Sequence, residues 1–309
     1  MVSIILPAYK SKYLAEMLDS LLHQTYKDFE LIIVDDCSPE NIFQVVSQYK
    51  DERVRYYRNE KNIGGKDLVA NWNLCLEYAK GDLLLLASDD DIYAPTFLEE
   101  MVRLADTYPA VDVFHSRVAV IDDKGDIIHA GEPLADYETD IDFIYQRAIN
   151  RRTQLVPDFV CRTEALREIG GFVNHPKAWY SDEMTWYKLA KSKGVCASNK
   201  PLFFWRSSLQ NISSNTKDTI QKAEASLQHL DGMRKLIAEL IPSNEFDKYL
   251  LKGLSSKIQN SISTQVRYDV EKSSLRIIWQ FLRTPRFKEL HWNHFWSLLI
   301  INKLKSYVR

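Results

Sequence analysis

The sequence predicts an α/β protein, with a mostly parallel, doubly wound central sheet over roughly residues 1–215 and an all-helical extension over 216–309. Three observations predict it. The run Leu83–Asp91, LLLLASDDD, is a continuous apolar stretch that stops at three aspartates. Four leucines in succession suit a strand covered on both faces, as strands of a parallel sheet are. Upstream of it, short apolar runs alternate with segments of helical spacing, the order of a βαβα layer. Beyond Lys217 strand signals vanish and helical spacing dominates to Arg309.

Val2–Leu6 reads as a first strand closed by Pro7, and Tyr13–Gln24 as a helix through Leu14, Met17, Leu18 and Leu21. Phe29–Val34 is the second strand, ending at Asp35 and Asp36. Pro39–Tyr49 suits a helix with proline in its first turn. Val54–Tyr57 is a third strand and Leu68–Ala79 a helix, which Gly81 stops before the strand Asp82–Ala87. Pro95–Thr107 is helical. Val111–Val120 and Ile127–His129 flank Asp122-Asp123-Lys124-Gly125, a hairpin turn. Residues 131–150 are acidic and weakly periodic, and suit a mobile loop with a short helix. Asp158–Cys161 is a strand, Thr163–Ile169 a helix stopped by Gly170-Gly171, Asp182–Lys193 a helix and Pro201–Arg206 a last strand.

Composition excludes some classes. Of 309 residues 45% are hydrophobic and 27% charged, ordinary for a globular protein. Lys+Arg 40 against Asp+Glu 42 gives a net charge of -2, so nothing draws the chain to nucleic acid. Cys37, Cys75, Cys161 and Cys196 are scattered, which fits a reduced cytosolic compartment and argues against zinc. The apolar run at the N-terminus is short and lacks a basic flank, so a first strand is expected there rather than a signal peptide.

The triplet Asp89, Asp90 and Asp91 carries the chemistry. Placed at the C-terminal edge of a strand, it lies where open α/β sheets bind ligands. Adjacent carboxylates repel one another and invite a divalent, oxygen-preferring cation that brings a diphosphate. The competing reading is a solvated acidic loop, which the four preceding leucines disfavour.

Taken in order, VSIILPAYK at the start, DFELIIVDDCS, NIGG, AKGDLLLLASDDDIYAP, ALREIGGF, SDE at 181–183 and PLFFWR at 201 resemble the inverting, nucleotide-sugar-dependent glycosyltransferases of family 2, with their Rossmann-like A-type fold. The likeness runs from Val2 to about Ser213. The SDDD-to-Pro95 spacing looks closest to the spore-coat polysaccharide branch. The resemblance implies a UDP-sugar donor, a Mn²⁺ or Mg²⁺ ion and a hydroxyl acceptor on a glycan or lipid-linked sugar, in surface polysaccharide synthesis.

It also implies roles. Asp36 would accept the uracil N–H, with Tyr9 packing on the base and Pro7 and Ala8 forming the turn beside it; capping a helix is the rival role for Asp36. Asp90 matches the metal ligand and Asp89 the residue near ribose or metal, although Ser88 stands where many members have the first aspartate. Asp182 aligns with the catalytic base, with Glu183 as its rival. An ordinary aspartate pKa of about 3.9 would leave Asp182 ionised at neutral pH. Arg206 is similar to the tail that touches the diphosphate, or forms a structural ion pair. Lys66 and Asn73 fall near the donor by analogy. Trp179 and Tyr180 are expected to meet acceptor sugars through their faces. The carboxylates of Asp36, Asp90 and Asp182 are expected around one cavity. A nucleotidyltransferase is the first alternative, but PAYKSKY has no glycine for a phosphate loop. A catalytically inactive nucleotide-binding or recruitment module is the second.

Residues 274–309 interleave Arg276, Arg283, Arg286, Lys288, Lys303, Lys305 and Arg309 with Trp279, Phe281, Phe287, Trp292, Phe295 and Trp296. That pattern suits a helix lying on an anionic membrane surface at the inner face of the cell membrane. Packing on the catalytic part or on a second copy in a homodimer is the reading to which slightly more weight falls, because amphipathic helices more often face a protein core.

Overall fold

The structure is a computed structural model and describes residues 1–208 and 217–290. The first half runs β1 (Val2–Ala8), α1 (Leu14–Leu22), β2 (Phe29–Asp35), α2 (Ile42–Val46), β3 (Val54–Arg58), α3 (Leu68–Glu77) and β4 (Leu83–Leu86). It continues through β5 (Ile92–Tyr93), α4 (Phe97–Thr107), β6 (Val113–Ile121), β7 (Ile127–Ala130), β8 (Tyr137–Glu138) and α5 (Asp140–Ala148). Then come β9 (Phe159–Arg162), α6 (Thr163–Glu168), α7 (Ser181–Ala190) and β10 (Val195–Arg206). Helices α8 (Thr219–Glu239), α9 (Glu245–Lys272) and α10 (Leu275–Arg283) follow.

The strands form one sheet in the order β3-β2-β1-β4-β9-β6-β10-β5. Strands β1 to β4 are parallel, with Ile4 facing Leu31 on one side and Leu85 on the other. Their ends therefore bring Ala8, Asp35 and the segment after Leu86 to one edge. The other half corrects the expectation of a mostly parallel sheet, because the sheet is mixed. β9 lies antiparallel to both β4 and β6, and β5 antiparallel to β10. An apolar run shows that a strand is buried, not which way it points, so this reversal left no trace in the residue pattern.

Alternate residues of the strands feed two cores. Ile5, Ile32, Leu84 and Leu86 face one, while Ile4, Leu6, Leu31 and Leu85 face the other. The second core is closed by α1, α2 and α4 through Leu14, Ile42 and Leu98. The first also holds Leu227, Leu254, Ile262 and Phe281, so the C-terminal helices share a core with the sheet.

The segment 131–150 is more ordered than its acidic pattern suggests. Thr139 caps α5 by accepting the Asp142 N–H at 3.1 Å, and Ile141, Phe143 and Ile144 are fully buried. Three apolar residues on one short helix are too few to produce a clear period. The expected hairpin is present: Asp122 Oδ1 accepts from the N–H groups of Lys124 and Asp126, and Gly125 takes φ 89°. In α10 the apolar residues Ile278 and Phe281 are buried, while Trp279 is 56% exposed beneath the Arg283 guanidinium. The described part of 274–309 thus turns most of its apolar face inward; Trp292, Phe295, Trp296, Lys303, Lys305 and Arg309 lie outside the described residues. Among the described residues no helix is long and apolar enough to cross a membrane.

Candidate active site

A cavity of about 640 Å³ opens at the C-terminal edge of β1, β2 and β4. Pro7, Tyr9, Lys10, Asp36, Asn71 and Asp89–Asp91 line it, with Trp205 on β10. The two aspartates after β2 have separate duties. Asp35 is fully buried and accepts from the Tyr56 hydroxyl at 2.7 Å, from Arg58 at 2.5 Å and from the Ser38 N–H at 2.8 Å, which makes it structural. Asp36 accepts from the N–H groups of Ile63 and Gly64 at 2.8 and 2.7 Å and from Asn59 Nδ2 at 2.7 Å. A Cβ at Gly64 would lie 2.9 Å from Asp36 Oδ2, so glycine is what permits this approach. An ionised carboxylate has about four acceptor positions. Three are filled, which leaves about one acceptor position on Asp36 without a protein donor.

The aspartate triplet does not converge. Asp89 Oδ2 accepts the N–H groups of Tyr9 at 2.8 Å and Lys10 at 2.7 Å. Asp90 Oδ1 takes the Ser88 hydroxyl at 2.6 Å, while its Oδ2 meets the Lys10 ammonium. Asp91 turns inward to the Arg206 N–H at 2.9 Å, and burial pushes its carboxyl well above the usual range. Burial also raises Asp89, against the attraction of Lys10. Among the described residues no group of three or more His, Cys, Asp or Glu side chains could hold a metal. Two carboxylate oxygens do share one cation position: the Lys10 ammonium bonds Asp90 and lies 3.4 Å from Asp89 Oδ1. The donor set of Asp90 with Asp89 therefore suits a divalent ion that takes its remaining ligands from a diphosphate and water.

Four residues expected at the donor are not among those lining this cavity. Ala8 is fully buried in the sheet and Lys66 is exposed. Asn73 pins α3 to the chain at Phe172, donating to its carbonyl at 3.1 Å and accepting its N–H at 2.8 Å. Gly171, at φ 86°, allows that approach, since a Cβ there would sit 2.5 Å from Asn73 Oδ1. Arg206 is 1% exposed behind the triplet, donating to the Asp90 carbonyl at 2.9 Å, to the Asp122 carbonyl at 3.0 Å and to Glu16 at 2.6 Å. Its fork braces the triplet from inside the protein. Lys10 and Asn71 take places at the cavity that the residue pattern did not assign. The lysine just beyond the first strand was the available signal.

Asp182 stands in a second cavity of about 450 Å³, not in the first. The expectation of a single cavity is corrected. The two cavities adjoin, because Leu68, Trp72, Leu155 and Val156 line both. Leu155 is fixed by donating its N–H to Asp158 Oδ1 at 2.7 Å. Trp179 and Tyr180 line the second cavity, which α8 and α9 close with His229, Ser261, Thr264 and Gln265. Tyr180 stacks on His229 with ring centroids 4.6 Å apart. Lys177, Ala178 and Tyr180 hold positive φ of 60°, 55° and 63° just before the helix. Such strain costs on the order of 1 kcal/mol per residue and gathers at functional sites.

Asp182 and Glu183 have opposite environments. Arg147 Nε and Nη2 donate to Glu183 Oε1 at 2.9 and 2.6 Å, and Tyr187 donates to its Oε2 at 3.2 Å. Burial opposes the charge on Glu183, but Arg147, with His229 and Tyr187, outweighs it and holds the carboxyl below its usual range. Glu183 is therefore committed to an ion pair. Asp182 receives no such pair. Loss of water, then the neighbouring Glu183 carboxylate, push it up to about 7. The ordinary value expected from sequence is not kept, because burial and the adjacent Glu183 carboxylate both disfavour the charge.

The family model for glycosyl transferase family 2 matches residues 3–169, more than half of the chain. A Haemophilus influenzae protein described as an uncharacterized glycosyltransferase is 31% identical over 173 residues, 55% of this chain and 56% of that one. The poly(ribitol-phosphate) beta-N-acetylglucosaminyltransferase TarS of Staphylococcus aureus is 33% identical over 127 residues, 40% of this chain and 21% of its own. The chain spans about half the length of the first curated relatives it matches, at 47%, 45% and 56%. Among solved structures, TarS residues 1–349 with UDP-GlcNAc superposes with a TM-score of 0.60 at 18% identity, covering 94% of this chain and 89% of that one. The mannosyltransferase PcManGT of Pyrobaculum calidifontis, with GDP-Man and Mn²⁺, gives 0.56 at 17% identity, over 98% and 86%. These structures share the fold, and the match along residues 3–169 shows that the chain belongs to glycosyl transferase family 2.

Proposed function

We propose that this protein transfers a hexosyl group, with inversion, from a UDP-sugar to a hydroxyl of a glycan or lipid-linked acceptor in surface polysaccharide synthesis. One observation carries the reading: the cavity holding Asp36, Asp89 and Asp90 shares a wall with the cavity holding Asp182. A nucleotide sugar in the first would place its anomeric carbon at the border the two share, where a hydroxyl held in the second could meet it. The relatives with bound UDP-GlcNAc and GDP-Man support a nucleotide-sugar donor. The uracil N–H would meet the open acceptor position of Asp36, with Tyr9 against the base. A Mn²⁺ or Mg²⁺ ion at Asp90 and Asp89 would neutralise the departing diphosphate.

Asp182 accepts the proton of the attacking hydroxyl. A carboxyl raised to about 7 is a stronger base than an ordinary aspartate, yet is still half ionised at neutral pH. Trp179 and Tyr180 offer apolar ring faces to the acceptor sugar. The hydroxyl-bearing Ser261 and Thr264 and the amide of Gln265 face the same cavity from α9 and supply polar contacts. Residues 1–215 act as the nucleotide-sugar-binding and catalytic part and residues 216–309 as the helical cover. The basic segment 274–309 would bring that cover to an anionic membrane or to a second copy of the chain.

Calorimetry with UDP tests the donor side. UDP binds in the presence of Mn²⁺, and Asp90→Ala weakens this metal-dependent binding at least about tenfold, as expected for loss of a charged ligand. Absence of any metal-dependent UDP binding would favour an inactive recruitment module. The acid–base side is tested by rate against pH with a UDP-sugar found by hydrolysis screening. Because the ionised form of Asp182 is the active one and its pKa is raised, kcat rises as pH increases through about 7 and is level above 8. A profile flat down to pH 5 would remove Asp182 from this role.

A further inference from the structure

Lys10 is the one basic side chain among the described residues lining the donor cavity. Asp89 and Asp90 are only 4% and 7% exposed, and two carboxylates so placed need a nearby positive charge. The Lys10 ammonium supplies it, bonded to Asp90 and 3.4 Å from Asp89 Oδ1. The remaining oxygens are occupied: Asp89 Oδ2 by two backbone N–H groups and Asp90 Oδ1 by Ser88. The oxygens open to a cation are thus the pair that Lys10 now holds.

We propose that Lys10 is a tethered counter-ion, which keeps the Asp89–Asp90 edge closed to divalent cations until a nucleoside diphosphate arrives and then carries its charge to that diphosphate. The proposal rests on reading the cavity as a diphosphate site. Its backbone stays anchored to Asp89, while its side chain is 28% exposed toward the cavity on a flexible four-carbon stem. An ammonium and a divalent ion cannot occupy the same two oxygens. Without a diphosphate, a displaced ammonium gains only water. With one, it gains a phosphate oxygen, so metal and nucleotide bind as a coupled set.

The test is Mn²⁺ binding to the full chain, followed by the paramagnetic signal of free Mn²⁺, with and without UDP, in the wild type, Lys10→Met and Lys10→Gln. Thermal unfolding shows that each variant is folded. Without nucleotide, both variants bind Mn²⁺ at least about tenfold more tightly than the wild type, as expected when a competing charge is removed. With UDP, the tightening of Mn²⁺ binding that the wild type shows shrinks in the variants. Equal or weaker Mn²⁺ binding by both variants in the absence of UDP overturns the proposal. The nucleotide-free arm judges Lys10 separately from the donor reading. A wild type that never binds UDP, at any Mn²⁺ concentration, sinks the donor reading and with it the handover to diphosphate.

Discussion

Asp182→Asn lowers the rate of sugar transfer by about 10²–10⁴, the range for removing a general base, while UDP affinity with Mn²⁺ stays within about twofold. The separation of the cavities sets this split. Asp182 lines the second cavity, and Asp36, Asp89 and Asp90, proposed to face the nucleotide, line the first. Asparagine keeps the shape of the carboxyl and cannot take the proton. It also ends the repulsion with Glu183, so the variant is expected to fold at least as well as the wild type. The measurement is single-turnover transfer beside calorimetry of UDP. An active Asp182→Asn would assign the proton to another group. Glu183 is poorly placed to be that group, since Arg147 donates two hydrogen bonds to one of its oxygens and Tyr187 one to the other.

Arg147→Met has the largest expected effect on stability. It leaves Glu183, 8% exposed, charged and unpaired beside Asp182. Breaking a buried pair from one side costs about 3 kcal/mol, enough to lower Tm by about 5 °C in a chain of this length. Arg147 also lowers Asp182, so the midpoint of the pH–rate profile moves upward in any active fraction. The double variant Arg147→Met/Glu183→Leu recovers most of the lost stability, because removing both charges also removes their desolvation cost. A fall in Tm of under 2 °C for the single variant would mean that water reaches the pair.

What the residue pattern carried follows from what its signals measure. The parallel strands β1 to β4 were legible because a strand buried on both faces must be apolar throughout, and LLLL can be little else. Asp36, Asp89 and Asp90 reached one cavity because consecutive parallel strands end on one edge. The reversal of β9 was hidden, since burial has no direction. Asn73 and Arg206 were drawn to the donor by analogy. In the fold, the first ties a helix to a loop and the second props the triplet from behind, and neither duty alters local composition. The partner of Glu183 lies 36 residues away on α5, a distance no local pattern spans. The proton affinity of Asp182 was the least legible of all. It comes from burial in a cavity whose walls are drawn from α3, α5, α7, α8 and α9, and from the Glu183 carboxylate.

That enclosure has a consequence for how such a chain changes over time. The carboxylates of the first cavity follow the early strands, whereas Ser261, Thr264 and Gln265 line the cavity of Asp182 from α9. On the proposed reading, substitutions in α8 and α9 re-select the receiving hydroxyl while the first cavity keeps its shape.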